Sequence, residues 1–210
     1  MIILGFLGSP RVNGRCSRLL QKSLEGAENE GAQTKRYDLI KLNIMQCCGC
    51  LECIFKNHEL PIGRCSLHDD MESILKEYMQ ADGYVFASPV YDGYITALMK
   101  KFLERKFALG YRAQEDYGKI CAPRSPANFK KMASMIVTGN CADEYREVMG
   151  DPCFEAMGGH LIIEQVVTVD RFYVGGIENM TQEIFEEKLA TAYQLGARLV
   201  NEIIKAKESA

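Results

Sequence analysis

An apolar run, Ile2–Leu7, opens the chain and ends at Gly8-Ser9-Pro10, the pattern of a buried strand entering a turn. From about Arg15 to Glu30 the apolar period becomes helical, with Leu19, Leu20, Leu24 and Ala27 on one stripe. Ala32–Leu39 alternates and predicts a second strand. The segment from Gln46 to Cys65 has no sustained period. Asp69-Asp70 then opens a helix whose Ile74, Leu75 and Tyr78 share a face, with acids at its start to suit the helix dipole. Gly83–Ala87 predicts a third strand, stopped by Ser88-Pro89, and Ile95, Leu98, Met99, Phe102 and Leu103 mark the next helix. Residues 108–131 are polar and aperiodic, an inserted loop. Met132–Val137 predicts a fourth strand, Glu144–Met157 a helix, Leu161–Val169 a fifth strand, and Thr181–Lys207 a long final helix.

Five apolar strands alternating with helices imply an α/β fold, with a parallel sheet covered on both faces. Right-handed crossovers bring the carboxyl ends of all the strands to one edge, where ligands of such sheets bind. Three notable turns fall there, after the first, third and fourth strands. They point to a single site.

The chain has 210 residues, of which 47% are apolar, enough to fold as one domain over 1–210 and to exclude a disordered regulator. With 25 basic and 28 acidic side chains the net charge is −3, which gives no footprint for nucleic acid or anionic lipid. The apolar runs are too short to span a bilayer, and Met1 leads into Ile-Ile-Leu-Gly rather than into a leader pattern. The expectation is a soluble, cytoplasmic protein.

Nine cysteines are many for such a chain, and an odd number cannot pair completely. Cys47, Cys48, Cys50, Cys53 and Cys65 crowd into one loop spanning 46–66, while Cys16, Cys121, Cys141 and Cys153 stand singly. Clustered thiols in a reducing compartment point to metal or redox chemistry.

The turn from Gly8 to Ser17 joins a strand to a helix. It offers free backbone N–H groups and a positive dipole end for a phosphate, with Ser9, Ser17, the Cys16 thiol, Arg11 and Arg15 as further donors and charges. It is neither G-x-G-x-x-G nor a Walker sequence, which disfavours a dinucleotide domain and a P-loop NTPase. In the turn Ala87–Tyr94, Tyr91 and Tyr94 are candidates to flank a planar ring, and Thr138-Gly139-Asn140 offers small polar groups to a heterocycle edge.

In this order, Gly8-Ser9-Pro10-Arg11, Cys47-x-x-Cys50-x-x-Cys53, Asp69-Asp70-Met71 and Ala87-Ser88-Pro89-Val90-Tyr91 resemble the NADPH-dependent FMN reductase superfamily. Within it the chain is most similar to the iron–sulfur flavoproteins. The resemblance implies a flavodoxin-like three-layer sandwich, FMN at the strand edge, and a homodimer or homotetramer. It also implies that Ser9, Arg11, Arg15, Cys16 and Ser17 surround the FMN phosphate. Pro89, Val90, Tyr91, Asp92 and Gly93, with Thr138, Gly139 and Asn140, would lie against the isoalloxazine. The chain departs from the family at Arg15-Cys16, where Asn-Thr or Asn-Ser commonly follows the glycine. A thiol is the poorer phosphate donor, and although a helix N-terminus favours a lower thiol pKa, a passive role is expected for Cys16.

Cys47, Cys50 and Cys53 form a close triplet with Cys65 twelve residues further on, the arrangement of ferredoxin-type ligation. Structural zinc more often takes two separated C-x-x-C knuckles. The spacing therefore favours a [4Fe–4S] cluster on Cys47, Cys50, Cys53 and Cys65, with Cys48 a substitute for Cys47 and oxidisable surface thiols the plain alternative. His68 reads as a residue just outside a helix start. The expected function is FMN-dependent electron transfer coupled to that cluster, with NAD(P)H or a ferredoxin-like protein as donor. A cluster-free FMN or quinone reductase is the first alternative, and a zinc-holding binding module without turnover the second. No residue is nominated as a catalytic acid or base.

Overall fold

The computed structural model describes residues 1–56, 59–113, 122–124 and 131–209. In chain order the elements are β1 (Ile2–Leu7), α1 (Arg15–Asn29), β2 (Gln33–Asp38), the single turn α2 (Glu52–Phe55), α3 (Met71–Gln80), β3 (Gly83–Tyr91), β4 (Tyr94–Ile95) and α4 (Ala97–Arg105). There follow α5 (Phe107–Gly110), β5 (Tyr111–Arg112), β6 (Ala122–Pro123), β7 (Met132–Thr138), α6 (Asp151–Ile163), β8 (Val167–Val174) and α7 (Gln182–Glu208). The five long strands pair in parallel in the order β2-β1-β3-β7-β8, the doubly wound order of the expected flavodoxin-like sandwich.

Side chains alternate along each strand, so one strand feeds two cores. From β1, Leu4 and Phe6 join Tyr78, Tyr84, Phe86 and Phe102 beneath α3, α4 and α6. Ile3 and Leu7 face the other way, into Leu20, Leu24, Phe185 and Leu199 under α1 and α7. Phe6 is the centre of the first core, its ring 4.6 Å from Phe102 and 5.4 Å from Phe86. The same core takes in a charged pair: Lys106 Nζ lies 3.1 Å from Glu164 Oε1, and the Tyr78 hydroxyl donates to Glu164 Oε2 at 2.7 Å. Burial draws the lysine down from its ordinary pKa and the glutamate up.

Three expectations need correction. The third strand does not stop at Ser88-Pro89. It pairs with β7 as far as Pro89–Thr138 and continues to Tyr91, where it folds back on β4. That hairpin turns on Asp92 and Gly93, both at positive φ (50° and 70°), the geometry of a two-residue type I′ turn. The last strand is not Leu161–Val169. Leu161, Ile162 and Ile163 finish α6, Gln165 turns the chain at φ 59°, and the strand runs Val167–Val174. The stretch 108–131 also holds regular structure, a helical turn and a short β5–β6 ladder. Residues 114–121 and 125–130 of it, Cys121 included, lie outside the described residues.

Candidate functional site

The carboxyl ends of β1, β3, β7 and β8 surround a cavity of about 430 Å³, within the size range of cofactor pockets. Its base is the β1–α1 junction. Gly8 is fixed there from both sides: its N–H donates to the Ala87 carbonyl at 2.8 Å, and its carbonyl accepts from Thr96 Oγ1 at 2.7 Å. Gly14 then stands in extended conformation at the start of α1, with no side chain capping that helix and no acid in its first turn. The first N–H groups of α1 have no intrahelical acceptor, so this end of the cavity is a receptor for an anion.

Most of the residues expected at the site meet in this cavity. Ser9, Arg11, Arg15 and Cys16 line one end, Pro89, Val90, Tyr91, Asp92 and Gly93 one wall, and Thr138, Gly139 and Asn140 the other. Ser17 is not brought there: its hydroxyl donates to the Val12 carbonyl and accepts from Arg36 Nη2 at 2.7 Å. Tyr94 stays outside, paired with Tyr91 across the hairpin. The Cys16 thiol is not activated by its place at a helix start. Burial pushes it up to about 12, against a hydrogen bond with Thr138 and the charge of Arg36, so it is a neutral wall group.

The arginines divide their work. Arg15 bonds the Ile177 carbonyl and donates to Met180 O at 2.9 Å, and its guanidinium lies 5.1 Å from the Phe185 ring centroid. It fastens the chain after β8 to the β1–α1 turn. Arg11 is exposed at the mouth, 2.7 Å from Glu178 on that same segment. Asn13 and Gly14, within the expected turn, also line it, while Arg18, Cys141, Met149, Ile177 and Glu178 complete the lining and were not expected. The available signal was Gly175-Gly176, a turn after the last strand, hidden by ending that strand too early.

The cysteine loop lies beside the end of α4, and no described residue of it lines the cavity. Cys47, Cys48 and Cys50 are exposed, Cys53 and Cys65 half-buried, and every described cysteine carries a free thiol. Cys50 Sγ is 3.3 Å from Ser66 Oγ. Burial pushes Cys53 up to about 11, and the neighbouring thiols Cys65, Cys47 and Cys50 add to that rise. Among the described residues no three His, Cys, Asp or Glu side chains form a ready metal centre. Parts of the insertion frame this loop and not the cavity: Gly63 N–H donates to Ala108 O at 2.6 Å, and Arg124 donates to the carbonyls of Cys53 and Leu60 at 2.6 and 2.7 Å. Asp69 does more than cap α3. It accepts from the N–H groups of Met45 and Met71 and pairs with Arg105.

The family description "NADPH-dependent FMN reductase" matches residues 1–146. The chain belongs to that family. It is therefore an FMN-dependent oxidoreductase of flavodoxin-like fold. An iron–sulfur flavoprotein of Archaeoglobus fulgidus is 35% identical to this chain over 201 residues, covering 95% of the chain and 79% of that relative. One from Methanocaldococcus jannaschii is 29% identical over 154 residues, 67% of the chain and 77% of the relative. Among solved structures, an NAD(P)H:quinone oxidoreductase from Methanothermobacter marburgensis superposes with TM-score 0.67 at 18% identity, covering 94% of each chain. A flavone reductase gives 0.70 at 21% identity, covering the whole of this chain and 65% of the other. These two share the fold. No helix among the described residues is long and apolar enough to cross a membrane.

Proposed function

We propose that this chain is an electron-transferring iron–sulfur flavoprotein, with FMN in the cavity and a [4Fe–4S] cluster on Cys47, Cys50, Cys53 and Cys65. Its reduced donor is NAD(P)H or a ferredoxin-like protein. The observation that carries the reading is the meeting of four strand ends in one cavity whose base is the uncapped start of α1. When bound, FMN supplies the interchange between two-electron and one-electron chemistry.

The chain's own residues bind and orient. The first N–H groups of α1, with Ser9, hold the phosphate, and Arg11 brings charge to it. Ser9 Oγ already accepts from Arg11 N at 3.1 Å, which leaves its proton to donate. Tyr91 and Met149 present apolar surface to the ring, and Thr138, Gly139 and Asn140 present backbone and small polar groups to its edge. The donor set of the cysteine loop suits iron and sulfide: four thiols on one loop, three of them in the close spacing Cys47-x-x-Cys50-x-x-Cys53. A homodimer or homotetramer belongs to the proposal. Exposed Tyr91, Tyr94, Tyr145 and Val148 on segments bordering the cavity support it.

The test is anaerobic preparation followed by the visible spectrum and by iron, sulfide, zinc and FMN assays. FMN together with iron and sulfide is the expected result. FMN without iron makes the chain a cluster-free reductase, and zinc without FMN makes it a binding module; either outcome overturns the proposal.

A further inference from the structure

Arg105 ends α4, and its side chain is 2% exposed. Taking a guanidinium out of water costs several kcal/mol unless a partner offsets it. Asp69 is that partner, its side chain fully buried: Nη2 lies 3.1 Å from Oδ1, and Nη1 bonds Oδ2. The two groups also grip the cysteine loop at both ends. Nη1 donates to the Met45 carbonyl at 2.9 Å, two residues before Cys47, and Asp69 Oδ2 accepts from Met45 N at 2.7 Å. At the other end, Arg105 Nη2 donates toward Cys65 Sγ at 3.5 Å. Nε of the same guanidinium is buried with no acceptor among the described residues. A purely mechanical tether would need the Met45 contact alone. The contact with sulfur is of another kind, because it aims a positive N–H group at a cysteine proposed as a cluster ligand.

We infer that Arg105 is a positioning residue that sets the cluster's reduction potential through Cys65. The inference rests on the cluster reading of the preceding section. One electron added to a thiolate-ligated cluster raises its negative charge by one. A cationic donor on a ligand sulfur stabilises that added charge, so the potential rises. Asp69 moderates the effect by neutralising part of the guanidinium charge. The pair thus has two members with opposite expected influence on one measurable quantity.

The experiment is an anaerobic redox titration with dithionite, followed by electron paramagnetic resonance, on the FMN- and iron-loaded protein and on Arg105→Lys, Arg105→Met and Asp69→Asn. Asn removes the charge and keeps one of the two oxygens that accept from the N–H groups of Met45 and Met71. The expected result is a more negative cluster potential in Arg105→Met and a more positive one in Asp69→Asn, with Arg105→Lys nearer the parent and the flavin potential unmoved in all. A merely structural role predicts that Arg105→Met and Asp69→Asn weaken the loop alike, and shifts in the same direction, or none, overturn the inference. Should Arg105→Met fail to load iron, the sign of the Asp69→Asn shift decides, a negative or absent shift overturning it. Iron content of the unmutated protein separates the two claims. A parent chain that binds FMN and no iron overturns the cluster reading, and this inference with it; a parent that binds both with wrong-signed shifts overturns this inference alone.

Discussion

At the residue scale the informative pair is Arg11 and Glu178. They meet at 2.7 Å across the cavity mouth, both more than half exposed, so the carboxylate occupies the arginine that the proposal assigns to a phosphate. An exposed pair of this kind is worth little in stability, yet it competes directly with an incoming anion. Glu178→Gln is expected to tighten FMN binding about two- to fivefold and to leave riboflavin, which lacks the phosphate, unchanged. Parallel fluorescence titrations with both ligands check this. Cys50→Ala is the matching test for the loop. It should abolish iron retention while FMN stays bound, and loss of both together would contradict two separate sites. What the sequence hid at this scale is long-range pairing. Ser9, Arg11 and Cys16 were legible because a strand–turn–helix junction exposes its own polar groups. Nothing local announced that Arg105 pairs with Asp69, or that Ser17 is taken by Arg36.

At the element scale the two miscounted strands have distinct physical causes. Pro89 cannot donate to a ladder, so Ser88-Pro89 reads as a stop, yet the pairing with β7 runs to Pro89–Thr138. The Asp92-Gly93 dipeptide between Val90-Tyr91 and Tyr94-Ile95 was the hairpin signal. For the last strand, an apolar run from Leu161 to Val169 spans a helix end and a strand start with no Gly or Pro between them. The turn is made at Glu164-Gln165, and β8 is an edge strand that carries Asp170 and Arg171, which breaks the apolar pattern. Helix contacts give a sharper prediction. At Gly196 of α7 an added Cβ would lie 1.7 Å from the Ser23 carbonyl oxygen of α1, so the two backbones cross in direct contact. Gly196→Ala should force the helices apart and cost roughly 1–3 kcal/mol or more, seen as a lower midpoint in urea unfolding.

At the scale of the whole molecule a parallel sheet covered on both faces was legible, because period-2 and period-3.6 patterns dictate which faces must be buried, whereas the flavodoxin-like arrangement came from the family resemblance. The cavity followed from topology, since parallel strands with right-handed crossovers bring their turns to one edge. The charged centre of the larger core was not legible, as Lys106, Glu164 and Tyr78 come from three separate helical regions. Its influence extends to His160, which burial, with the charges of Lys106 and Lys100, holds down at about 4 from an ordinary 6.5. The unfolded chain takes up a proton between those two values that the folded chain refuses, so stability falls as pH drops through that window. His160→Gln should flatten this part of the stability profile, checked by urea midpoints at about pH 7 and about pH 5. The account as a whole stands on where the phosphate of FMN sits, and a crystal structure of the anaerobically prepared protein with FMN bound tests it most directly. The account predicts the phosphate on the first N–H groups of α1 beside Ser9, with the ring between Tyr91 and Thr138. A phosphate lodged at any other strand end, or a ring outside that cavity, would contradict it.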